Sequence, residues 1–260
     1  MIIKDIRTTA LSIPFTDPPR WSLDYNRPRE ILVVEIETTS GLTGMGYLMV
    51  LSGGLRTIKT CIEELLSPVV LGRSIWEVEA IWQDIWKATY WVGRMGVTVF
   101  AQSAIDIALW DALGKRAGLP LYKLWGGAQG GGALPAYGSG CWRGLGQGGM
   151  IEKALAYVEA GFDAIKMQAG HMHSHAEDVA NVAAMREALG DDIAIMVDVN
   201  MGWTTDEAIE VGRRLDQYNI HWLEEPIVAE NFAGYFRVAD ALKTRVVGGE
   251  SHFTYHDLAP

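Results

Sequence analysis

The chain has 260 residues, a net charge of −10, an isoelectric point near 5.1 and a hydrophobic content of 49%, enough to bury one large core or two smaller ones. The acidic balance and the lack of a basic stripe exclude nucleic acid and an anionic membrane surface as expected partners, and no apolar run reaches the roughly 18 residues that would cross a bilayer. Two scattered cysteines, Cys61 and Cys141, make no disulfide framework, and the N-terminus lacks a secretion signal, so a cytoplasmic setting is expected.

Residues 2 to 13 and 30 to 49 alternate as strands do, with a turn at Thr39-Ser40-Gly41, and predict an antiparallel sheet. Helical spacing follows over 55 to 70, 75 to 90 and 97 to 117, the last ended by Gly118 and Pro120. Trp82 and Trp86, at i, i+4, read as core packing and not as a cofactor box. Composition shifts at GGAQGGG, residues 126 to 132, which marks a domain boundary. Beyond it strands are expected near 133 to 138, 163 to 168, 193 to 199, 220 to 225 and 245 to 250. Helices fall between them near 149 to 160, 176 to 189, 205 to 217 and 232 to 243. Thr204 and Glu207 make a capping box for the third of these helices. Alternating β and α elements predict a parallel sheet with right-handed crossovers.

Three acids close apolar runs in this half: Asp198 in AIMVD, Glu224 in IHWLE and Glu250 in TRVVGGE, 26 residues apart and then 26 again. One βα unit has about that length, so each acid falls at the same place in successive units. In a closed parallel barrel those places meet at one mouth. One acid at a strand end is usually a cap or a solvated loop residue; three in register, two of them Glu, are not caps. Such a trio repels itself unless neutralised, and a hard divalent cation such as Mg²⁺ is the usual neutraliser. Strand parity sets Lys166 and Gln168 on one face, pairs Asp198 with Asn200, and separates Glu224 from Glu225. Lys166 then either joins the carboxylates or a substrate carboxylate, or snorkels to solvent.

The runs AIKMQ, VDVN, LEEP and GGES at these spacings, with IDIALWDALGKRAGLPLYKLWGG before them, resemble the enolase superfamily, in particular its mandelate racemase and muconate-lactonizing branch. The likeness is nearest to acid-sugar dehydratases. It implies an α/β chain in two domains: an N-terminal α+β capping domain, 1–128, and a (β/α) TIM-type barrel, 129–260, C-terminally incomplete with about five strands. It implies Mg²⁺ held by Asp198, Glu224 and Glu250, with Lys166 at the first lysine of the family's Lys-x-Lys motif. The activity implied is abstraction of the proton α to a carboxylate, most simply dehydration of an acid sugar by a homo-oligomeric enzyme. Where the family carries its second lysine this chain has Gln168, whose amide takes up no proton near neutral pH, which disfavours two-base racemisation. The alternatives are a racemase, epimerase or cycloisomerase of the same superfamily, or a metal-binding chain without a general base. The family's other base, a histidine of the sixth and seventh strands, has no counterpart in this sequence. The family's substrate-selecting loop corresponds to DPPRWSLDYNRPR, residues 17 to 29, where Arg20, Trp21, Tyr25 and Arg27 are candidate contacts, as is Tyr137 near the first barrel strand.

Three other readings are open to particular residues. His171, His173 and His175 in HMHSH suggest a mobile acid or base, or more weakly a zinc site. GLGQGG, residues 144 to 149, fits G-x-G-x-x-G, but it starts too far past its strand, and the next strand ends in Lys166 and Gln168 without the acidic residue that would hold a ribose. A Schiff-base aldolase using Lys166 would need no metal.

Overall fold

The computed structural model describes residues 1–14, 28–50, 53–127, 133–170 and 174–258. The chain divides into two compact units that part between Ala133 and Leu134; residues 128–132 of the glycine-rich stretch lie outside the described residues.

In the first unit β1 (Ile3–Ile13), β2 (Arg29–Thr38) and β3 (Thr43–Val50) form an antiparallel sheet in that order. The period of two in β2 buries Leu32, Val34, Ile36 and Thr38 on one face. Helices cover that face. They are α1 (Leu55–Thr60), continued by a π-turn at Cys61–Leu66 into α2 (Ser67–Val70), then α3 (Val78–Ala88), α4 (Val97–Ala117) and the short α5 (Leu121–Leu124). α4 stops as expected at Gly118, which takes the left-handed φ of 64°. By length and composition alone α4 would cross a bilayer, but Ala101, Ala104, Ile105, Ala108, Leu109 and Ala112 are spent on the core. Trp82 and Trp86 do stack, at 5.4 Å, yet they are half-buried, and Arg94 lies 4.6 Å over Trp86. The pair therefore lines the edge of the core instead of filling it.

α4 reaches β3 through two glycines. A Cβ on Gly44 would lie 2.1 Å from the carbonyl oxygen of Ala108, and one on Gly46 would lie 2.1 Å from that of Ala104. Helix backbone thus rests on strand backbone, a contact closed to any side chain.

The second unit is a five-stranded parallel sheet in the order β4 (Gly138–Cys141), β5 (Ala164–Gln168), β6 (Ala194–Asp198), β7 (Trp222–Glu224) and β8 (Arg245–Val247). Between the strands run α6 (Gly146–Glu159), α7 (His175–Leu189), α8 (Thr205–Leu215) and α9 (Phe232–Ala241), and α10 (Thr254–Leu258) follows β8. This is the βα alternation expected, in an α+β unit followed by a parallel α/β unit. The first strand is a correction: it starts at Gly138, where 133 to 138 was expected. Pro135 has no N–H to give a ladder, and Gly138 is where the chain can pass beneath Tyr157, whose ring would lie 2.4 Å from an added Cβ. α6 also begins early, so GLGQGG forms the 3₁₀ turn Arg143–Leu145 and the first turn of that helix. The Thr204–Glu207 capping box is present, and Ser174 with Glu177 makes a second one on α7.

Gly46→Ala is expected to destabilise the protein by about 1–3 kcal/mol or more, because neither backbone can yield. A denaturant midpoint unchanged from wild type would show that α4 can lift from the sheet.

Candidate active site

Parity within the parallel sheet sorts the side chains. Ile165, Met167, Ile195, Val197 and Leu223 are buried in one core with residues of the helices, among them Val179, Val182, Met185, Ala208, Val211 and Leu215. The intervening residues share the opposite face. In-register pairing sets Gln168 beside Asp198 and Asp198 beside Glu224 on three adjacent strands.

Lys166 reaches between two of the acids. Its Nζ donates to Glu224 Oε1 at 2.6 Å and lies 3.2 Å from Asp198 Oδ2, with all three side chains largely buried. The snorkelling alternative is thereby removed. Burial works against the ammonium charge, but the Glu224 hydrogen bond and the charges of Asp198 and Glu224 outweigh it and raise the Lys166 pKa. For Asp198 the balance tips the other way: burial pushes its carboxyl up, the Lys166 charge pulls it down, the Glu224 charge adds to the rise, and the net shift is upward. The second oxygen of Glu224 accepts from Trp222 Nε1 at 2.9 Å. Tyr137 lies edge-on to Trp222 at 5.6 Å, with Lys166 Nζ 5.9 Å from the Tyr137 ring centre. Tyr137, a candidate substrate contact, thus lies beside the lysine, and Trp222 is a neighbour that the sequence reading missed.

Gln168 donates from Nε2 to Asn200 Oδ1 at 2.9 Å, and the Asn200 backbone N–H donates to Asp198 Oδ1 at 3.0 Å. Asn200 and Met201 take φ of 47° and 61°, left-handed values that cost energy in non-glycine residues and cluster at functional sites. Glu225 shares this strain, with φ of 41°. It turns away from Glu224, is 1% exposed, and accepts hydrogen bonds from Tyr235 Oη and from the Gly249 backbone. Tyr235 is held neutral by burial and by Glu225. Glu225 therefore links the end of β7 to the loop that carries Glu250.

A cavity of about 220 Å³ opens there, lined by Glu224, Glu225, Val247, Gly248 and Glu250. Partial burial, and after it the charges of Asp198, Glu225 and Glu224, raise the Glu250 carboxyl. Among the described residues no three Asp, Glu, His or Cys side chains stand close enough to share one ion: Lys166 occupies the space between Asp198 and Glu224, and Glu250 stands across the cavity. The donor set itself suits a hard cation. Asp198, Glu224 and Glu250 offer oxygen only, against one ammonium, and Asp198 and Glu250 each bear an upward shift that a cation would relieve.

Arg143, in the turn after β4, is a second residue the sequence reading passed over. It is 1% exposed, and none of its guanidinium nitrogens has a hydrogen-bond partner among the described residues. Burial pushes its pKa down, while the charges of Asp178 and Asp198 push back. The signal lay in a lone arginine just past a barrel strand. His175 opens α7, with Nε2 3.6 Å from Glu207 Oε1 and its ring 6.2 Å from that of Trp203. His171, His173, Arg20, Trp21, Tyr25 and Arg27 lie outside the described residues.

Residues 5–126 match the family described as mandelate racemase/muconate lactonizing enzyme, N-terminal domain, and residues 149–260 match the enolase C-terminal domain-like family. A 3,6-anhydro-alpha-L-galactonate cycloisomerase of Streptomyces coelicolor is 36% identical over 99% of this chain and 71% of its own length. An arabinonate dehydratase of Saccharolobus solfataricus is 35% identical over 97% of this chain and 68% of its own. The crystal structure of a racemase from Streptomyces coelicolor A3(2) with bound magnesium superposes with a TM-score of 0.93 at 36% identity, covering 98% of this chain and 71% of that one.

The upward shift of Asp198 has a signed consequence in a chelator. Its stabilising neutral form is fully present below the ordinary carboxylate range and is lost as pH rises through the raised folded value. Asp198→Asn should therefore gain stability relative to wild type over that interval and level off above it. Denaturant unfolding at stepped pH measures this, and the opposite slope would mean that Lys166 prevails over burial.

Proposed function

Because the chain belongs to the mandelate racemase/muconate lactonizing branch of the enolase superfamily, we propose that it binds Mg²⁺ and stabilises the enolate formed as the proton α to the carboxylate of an acid sugar passes to the histidine base that the family carries on its sixth and seventh strands, with loss of the β-hydroxyl as water. The observation that carries this reading is Lys166, held charged on the face where Asp198 and Glu224 stand in register. Asp198, Glu224 and Glu250 would hold the metal. Bound there, Mg²⁺ supplies positive charge to a substrate carboxylate, so that the dianionic enolate forms at lower cost.

The remaining roles fall to the chain's own side chains. Lys166, tied to two carboxylates, is an ammonium and not a proton acceptor, so it stabilises negative charge developing on substrate oxygen. Trp222 fixes the second oxygen of Glu224, and Asn200 fixes Asp198 through its backbone N–H. Glu225, braced by Tyr235 and Gly249, sets the position of the Glu250 loop. Tyr137 and Trp222 offer an aromatic edge beside Lys166 for the substrate's carbon chain. Gln168, an amide, neither takes nor gives a proton on its side, which argues for one-sided elimination over racemisation. Cycloisomerisation is the second reading, favoured by the 36% identity to the anhydrogalactonate cycloisomerase. It shares the α-proton step and differs in that the departing β-oxygen belongs to a ring.

A panel of sugar acids with Mg²⁺ in deuterated water tests the reading. Dehydration is expected to give a 2-keto-3-deoxy acid with one deuterium at C3 and to stop with a chelator. Lys166→Met should cut turnover by about 10²–10⁴. Product formed undiminished in the chelator, or trapped on Lys166 by borohydride, would replace this reading with Schiff-base chemistry. Deuterium at C2 without loss of water would replace it with racemisation.

A further inference from the structure

Gln168 is 5% exposed and its two amide atoms have different fates. Nε2 donates to Asn200 Oδ1 at 2.9 Å, which fixes the plane of the amide, whereas Oε1 is buried and has no hydrogen-bond partner among the described residues. An unmatched buried acceptor is costly, and in native proteins such an atom calls for an explanation in function. Its setting limits what it would take. Strand parity puts Gln168 on the same face as Lys166, and pairing puts it beside Asp198. One N–H of Nε2 is committed to Asn200, and the buried atom left to match is the carbonyl oxygen. A carbonyl oxygen repels a carboxylate and welcomes an O–H.

We propose that Gln168 is a specificity-determining residue that accepts a hydrogen bond from one hydroxyl of the substrate, held in aim by Asn200. This rests on the acid-sugar reading and narrows it: the preferred substrate is a carboxylic acid hydroxylated at the carbon facing Gln168, and the acid lacking that one hydroxyl is rejected. The rejection is strong because removing the hydroxyl leaves Oε1 without a partner inside the protein. Asn200 serves the same end. Its left-handed backbone gives its N–H to Asp198 and its side-chain oxygen to Gln168, so one residue orients both the acid and the amide.

Calorimetric titration of the full chain with Mg²⁺ present tests this, using a sugar acid that binds and its monodeoxy analogues, one for each hydroxyl. Wild type is expected to bind one analogue roughly tenfold to a hundredfold more weakly than the parent acid. In Gln168→Met, which keeps the shape and removes the acceptor, the parent should fall to the level of that analogue while Mg²⁺ affinity is unchanged. Asn200→Gly keeps the left-handed backbone, loses the clasp, and should narrow the same gap, which provides a second measure if the Met variant folds poorly. A gap that survives in both variants, or an equal loss for every analogue, overturns the proposal. A wild-type chain that binds Mg²⁺ but no sugar acid overturns the underlying acid-sugar reading instead, and this one with it.

Discussion

One ammonium group stands between two buried carboxylates on adjacent strands, and the arrangement of the second unit serves that contact. Lys166 reaches Asp198 and Glu224 only because parallel pairing sets β5, β6 and β7 in step and because the alternate residues of those strands are taken up by the helices. The balance is uneven. Burial still raises Asp198 while Lys166 is held charged, and Asp198, Glu224, Glu225 and Glu250 outnumber Lys166 and Arg143, the cations beside them. Such a surplus costs stability, and a protein tolerates it where the chemistry of the site uses it.

Backbone strain is concentrated at the same level. Asn200, Met201 and Glu225 are all left-handed, and each is tied across strands: Asn200 to Gln168, Met201 N–H to the Glu225 carbonyl, and Glu225 to Tyr235 and Gly249. The ties explain why strained residues persist there. They also connect the strand ends to one another, so that Asp198, Glu224 and the loop bearing Glu250 are positioned by neighbours and not only by their own strands.

Much of this was legible in the sequence because periodicity is a direct consequence of backbone geometry. AIKMQ, AIMVD and IHWLE gave both the strands and the faces of their side chains, and Thr204 with Glu207 marked the start of α8. What sequence hid had physical causes of its own. β4 is Gly-Ser-Gly-Cys, a run without strand propensity whose glycines answer to Tyr157, far along the chain. Trp222 was not singled out, since nothing local shows that its Nε1 meets Glu224. Arg143 carries no periodic signal. Even spacing of the three acids spoke of successive units but not of distance, and the structure sets Lys166 between two of them and Glu250 across a cavity.

The adjacent pair Glu224 and Glu225 shows what period-two geometry demands of synthesis and folding. One faces Lys166, while the other is locked behind it against α9. Were β7 to settle one position out of step, the two would trade places, and a carboxylate meant for chemistry would be sealed inside while its structural twin faced the lysine. Pro226, directly after the pair, fixes φ and cannot extend the ladder. The chain thus carries its own end-stop against misalignment, beside the two residues for which misalignment would matter most.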